Sequence, residues 1–142
     1  MKNQVLTIEQ MLELEELGID TSIASMFWFD DGIRIPRLVP CYSQDTIGAW
    51  TDQYGEKCII PVFTLQDILD MLPGSIEEDI IGRFDYELRI KKNGVAYESF
   101  DALDSKSEPY VFDEYYIDDE QCETVLDCAF EMLKSLKKLK KI

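Results

Sequence analysis

Acidic side chains are the most abundant reactive material in this chain, and several occur in clusters: Glu77-Glu78-Asp79, Asp101 with Asp104, Asp113-Glu114 and Asp118-Asp119-Glu120. Converging carboxylates serve hard cations and general acid–base chemistry, both of which need oxygens brought to one point. No stretch has the alternating acids, central glycine and closing glutamate of a calcium loop. A glycosidase-type pair is defined by a spatial separation of ~5 Å or ~6.5–9.5 Å. Among 29 acids some pair meets that by chance. Histidine is absent, which removes Ser-His and Cys-His nucleophiles and His-ligated zinc. Neither Gly-x-Ser-x-Gly, a P-loop nor Gly-x-Gly-x-x-Gly occurs. The sequence therefore names no catalytic, metal-binding or cofactor-binding residue.

Cys41, Cys58, Cys122 and Cys128 are even in number but not spaced as a disulfide framework, and no Cys-x-x-Cys exists. If Cys122 and Cys128 share a regular helix, their Cα atoms stand about 9 Å apart along its axis, beyond the roughly 7 Å a disulfide spans. Four reduced cysteines used as small apolar residues are expected. Cys122 near a helix start is the one candidate for thiol activation, but its apolar stripe and its neighbours Glu120 and Glu123 make it core filler instead.

Aromatic side chains point towards binding. Tyr110, Phe112, Tyr115 and Tyr116 lie in an acidic segment whose pattern demands neither helix nor strand, and they form a candidate interaction patch. The competing reading is that these rings cover the core beneath a long loop. Trp28 and Trp50 are expected in the core or on a sheet face.

The 142 residues are 46% hydrophobic and carry a net charge of −15. That is enough apolar mass to exclude an acidic disordered chain and is suited to one domain spanning 1–142. Five of the 14 bases, Lys134, Lys137, Lys138, Lys140 and Lys141, crowd the C-terminus. The remaining nine face all 29 acids, a balance of −20 over residues 1–133. Such a body repels phosphate backbones, which disfavours direct nucleic-acid binding. The lysine-rich end is read as a helix terminus complementing its dipole. No apolar run approaches the ~20 residues of a membrane span, and no signal-peptide pattern or glycosylation sequon occurs. A cytoplasmic location without membrane attachment is expected.

Three helices and several strands must position whatever site exists. Thr7 opens a capping box with Gln10, Ile8, Met11, Leu12 and Leu17 give an apolar side, and Gly18 stops the helix. Residues 26–63 read as β: 26–29 enters a hairpin at Asp30-Asp31-Gly32, and Ile33-Arg34-Ile35 alternates on the far arm. Pro36 and Pro40 mark that arm as an edge. A looser stretch spans 41–50, a turn lies near 53–56, and Cys58-Ile59-Ile60 is a short strand. Thr64 caps a second helix that Pro73-Gly74 ends. Residues 84–91 alternate cleanly, with Phe84, Tyr86, Leu88 and Ile90 on one face, and return through an Asn93-Gly94 type I′ turn. Residues 102–117 read as irregular. Asp118 or Asp119 then caps a long helix with Cys122, Leu126, Ala129, Leu133 and Leu136 as its stripe. The fold class is α+β: an antiparallel sheet built from hairpins, about three helices packed against it, and a long C-terminal helix.

Four segments carry a resemblance: Leu6-Thr-Ile-Glu-Gln-Met11, the run Gly18 to Met26, Phe63 to Pro73, and Leu126-Asp-Cys-Ala-Phe-Glu-Met-Leu133. Together they resemble a group of small uncharacterised proteins of Bacteroides-type bacteria and their mobile or prophage-like regions. The resemblance covers about a third of the chain. It implies a bacterial cytoplasmic accessory protein of phage descent, and it assigns no activity.

The function expected is that of a non-enzymatic protein that binds another protein. The alternatives are a carboxylate-dependent, metal-assisted hydrolase and an acidic nucleic-acid mimic that blocks a basic groove. A duplex presents one charge per ~1.7 Å, so a face about 30 Å across is comparable in charge to this chain.

Overall fold

The computed structural model of the protein describes residues 4–40, 44–79, 83–92, 94–99, 110–118, 120 and 122–142. The chain is α+β, with antiparallel sheets of three and four strands among the described residues. Its backbone divides into two compact units, Met1–Asp67 and Ile68–Ile142, the boundary falling inside a helix and not at a linker.

The first unit opens with α1 (Ile8–Glu16), whose Thr7–Gln10 capping box is complete. At its end Gly18 takes φ +84°. Its N–H donates to Glu15 O and that of Ile19 to Leu14 O, a full Schellman closure. Buried Met11 and Leu14 form the core side, while Ile8 and Leu12, expected to join it, are exposed. The apolar arc is wider than the strip the core covers. Strands β1 (Met26–Phe29), β2 (Arg37–Pro40) and β3 (Ile59–Val62) follow, with β1 central. Between β2 and β3 lies α2 (Gln44–Tyr54), a helix in place of the expected loose stretch.

The ladder explains how this sheet tolerates two prolines. Asp30 N donates to Cys58 O at 2.8 Å. That makes the even-numbered β1 positions the bonded pairs towards β3, and Phe27 and Phe29 the bonded pairs towards β2. Pro61 faces Phe27 and Pro40 faces Met26. Both therefore sit where their missing N–H would have pointed outward. Each spares the ladder and removes a donor from an outer edge.

Helix α3 (Leu65–Met71) spans the unit boundary. Its cap is reciprocal: Asp67 N donates to Thr64 Oγ1 and Thr64 N to Asp67 Oδ2.

The second unit holds β4 (Ser75–Asp79), β5 (Arg83–Lys91), β6 (Gly94–Ser99) and β7 (Tyr110–Asp118), in that spatial order. It ends in α4 (Val125–Lys138), which packs on β6 and β7. Tyr86, Val95, Tyr97 and Ile117 on the strands and Leu126, Ala129, Leu133 and Leu136 on α4 are the buried core residues of this unit. Tyr97 is fully buried and donates its hydroxyl to Pro73 O at 2.6 Å. Burial pushes that phenol well above its ordinary range. Buried Glu98 is ion-paired with Lys91.

Several expectations are corrected here. Residues 33–35 are not a strand arm, because Pro36 ends the alternation and the return strand begins at Arg37. Glu77-Glu78-Asp79 lies on β4, a strand that its acids concealed. Lys91 faces Gly94, so Gly94 belongs to the returning strand and not to the turn, and Asn93 lies outside the described residues. Along the face that Tyr86, Leu88 and Ile90 share, Tyr86 is buried, Leu88 half-buried and Ile90 exposed near the hairpin tip. Residues 110–117 are strand, while 102–109 lie outside the described residues. The last helix starts at Val125 under a Thr124 cap, not at Asp118 or Asp119.

That late start also overturns the cysteine reading. Cys122 lies ahead of the cap, outside the regular helix, so the axial-rise argument does not apply to it. The chain turns back, the Cα atoms come within 5.8 Å, and Cys122 and Cys128 form a disulfide. Cys58 is a free, buried thiol. Its Sγ reaches Trp50 O at 3.6 Å, and burial pushes its titration up.

Candidate functional site

Residues 30–36, which join β1 to β2, form the most distinctive surface of the first unit. Its two ends meet where Phe29 and Arg37 face each other across the ladder. Phe29 is buried, its ring 4.8 Å from that of Trp50 and in edge contact with Tyr54 at 5.5 Å. The Arg37 guanidinium lies 5.0 Å from the same ring centroid. The loop thus stands on an aromatic platform that α2 supplies.

Two aspartates then order its backbone. Asp30 Oδ1 accepts from Gly32 N at 2.8 Å, an Asx turn. Asp31 Oδ1 accepts from both Ile33 N and Arg34 N at 2.9 Å. Asp31 Oδ2 lies 3.4 Å from Arg34 Nε. Gly32 takes φ +78°, a conformation that side chains other than glycine rarely adopt. The amides of Arg34 and Ile33, followed by the nearby charges of Arg34 and Arg37, hold the Asp31 carboxyl below its ordinary range. Pro36 in turn biases Ile35 towards extended backbone.

This order is used to display apolar surface. Ile33 is 87% exposed and Ile35 is 89% exposed, with the Arg34 side chain between them 71% exposed. Chemically the tip is apolar–cation–apolar, with both neighbouring carboxylates turned back onto the loop's own amides. It can bury surface and pair with an anion. It presents no nucleophile.

The sequence contained a signal for this loop. Asp-Asp-Gly followed by a proline four residues later leaves too few positions for a second strand arm, so the Ile-x-Ile alternation had to be loop. Of the residues expected to form an interaction patch, Tyr110, Phe112, Tyr115 and Tyr116 all fall on β7. Tyr110 stands opposite Ser99 and Tyr116 opposite Ala96. From Val111 to Tyr116 the strand advances five residues while β6 advances two, from Glu98 back to Ala96, a bulge of three. Phe112 and Tyr115 lie within that bulge. Their side chains lie outside the described residues.

Among the described residues, no three His, Cys, Asp or Glu side chains gather as a metal site. Asp67 serves structure: besides its cap it accepts from Ser25 Oγ at 2.8 Å. No described helix is long and apolar enough to cross a membrane. Comparison with known proteins finds no matching family model, curated protein or solved structure.

Proposed function

We propose that this protein acts by binding another protein through loop 30–36, as an accessory factor without catalysis of its own. The observation that carries the reading is the near-complete exposure of Ile33 and Ile35 on a backbone pinned by Asp30 and Asp31. Exposed apolar side chains on a preordered loop bind with little entropy left to lose. Both edges of the adjoining sheet are blunted by proline, which favours side-chain recognition by the loop over strand addition. A bacterial, cytoplasmic setting and phage descent belong to the same proposal and rest on the sequence resemblance.

The test is affinity capture from source-cell lysate with wild-type protein and with the variant Ile33→Ser/Ile35→Ser as baits. A partner held by the wild type through a high-salt wash, and lost by the variant, is the expected result. Equal capture by both baits contradicts the assignment.

A further inference from the structure

We infer that the surface this loop fits is carried by the chain itself: loop 30–36 of one copy docks on α1 of a second copy. The inference rests on the loop being the binding element. On α1, Ile8 is 40% exposed and Leu12 53% exposed. Four residues apart on one helix, they form a ridge about 6 Å long. At 100° per residue, Glu9 and Glu16 lie on one flank of this ridge and Glu15 on the other. All three are exposed, and α1 contains no base.

The loop is the complement of that ridge. Ile33 and Ile35 are two residues apart and so at most about 7 Å from each other, which matches the Ile8–Leu12 spacing. Arg34 lies between them, its Nε towards Asp31 Oδ2 and its side chain 71% exposed, with Arg37 at the base, while Asp30 Oδ1 and Asp31 Oδ1 are engaged by the loop's own amides. Two apolar anchors flanking a cation therefore meet two apolar residues flanked by acids. Both halves belong to the Met1–Asp67 unit, so each copy offers one of each, and a two-fold pair uses both. The net charge of −15 repels copies at a distance. The attraction is therefore confined to the contact.

Sedimentation velocity over a concentration series tests this. Wild-type protein is expected to associate with a dissociation constant on the order of 10–100 μM, as suits a small interface. Ile33→Ser/Ile35→Ser, Arg34→Glu and Glu9→Lys/Glu16→Lys should each weaken association about tenfold or more. Combining Arg34→Glu with Glu9→Lys/Glu16→Lys should restore most of the loss. Every altered side chain is exposed, and unchanged circular dichroism and thermal midpoints verify that folding is intact. A wild type that stays monomeric, or association indifferent to Ile33→Ser/Ile35→Ser, overturns the inference. A monomeric wild type whose isoleucine variant still loses a captured protein spares the loop as a binding element. A monomer with unchanged capture overturns both.

Discussion

Asp31 and Tyr97 show how much single polar atoms decide in this fold. One Asp31 oxygen receives two backbone amides and the other faces Arg34, and together these favour the charged carboxylate. Because its folded-state titration is depressed, the stabilisation is complete above the ordinary carboxyl value of 3.8. It is lost as pH falls through the lower folded value. A carboxyl-carbon NMR titration should place the Asp31 midpoint below 3.8, and a midpoint at or above that value contradicts the loop geometry. Tyr97 is the buried counterpart. Tyr97→Phe removes its bond to Pro73 O and leaves that carbonyl short of a partner, at a cost of about 1–2 kcal/mol. Chemical denaturation measures it. The chemistry at this scale was partly legible: Asp-Asp-Gly announced a turn and Pro36 limited the arm after it, but nothing local showed that one Asp31 oxygen would bind two amides.

Elements were legible where one periodicity ran unopposed. The β5–β6 hairpin, the capped α1 and α3 and the buried stripe of α4 all follow from spacing and end signals. Helix α2 was missed because Gly48, Thr46 and Thr51 lower helix propensity, while packing its Trp50 against Phe29 supplies a tertiary contact invisible in the segment itself. Strand β7 was missed because its acids and its bulge break alternation. The start of α4 was misplaced because three acids in a row imitate a cap, and that error carried the cysteine assignment with it. Two predictions belong at this scale. Lys140 ends α4 at φ +57° in a Schellman closure, a place suited to glycine. Lys140→Gly should therefore stabilise the protein by about 0.5–1 kcal/mol in denaturant unfolding. In protein handled without reductant, alkylation and mass spectrometry should find Cys122 and Cys128 blocked. Reducing them should cost about 2 kcal/mol, as expected for so short a ring. Such a bond is uncommon in a reducing cytoplasm, so its state in glutathione buffer bears directly on the proposed location.

At the scale of the whole molecule, charge governs behaviour more than fold. The 29 acids outnumber the 14 bases about twofold. The Arg89–Glu87 pair on the sheet surface is of the exposed kind that contributes little. Self-repulsion should therefore dominate the salt response. Raising sodium chloride from about 20 to about 500 mM shortens the screening length from roughly 20 to 4 Å and should raise the calorimetric midpoint by a few degrees. A fall would mean that ion pairs outweigh repulsion. The same excess charge makes the apolar–cationic loop tip stand out, since its carboxylates are turned inward.

The central claim, that loop 30–36 is the binding element, is tested most directly by placing a photoreactive benzoylphenylalanine at position 33, 35 or 53 and irradiating the source cells. Gln53 is exposed on α2 and serves as the control. The account predicts discrete crosslinked products from positions 33 and 35 and none from 53. An absence of product at the loop, or equal products from all three positions, would contradict it.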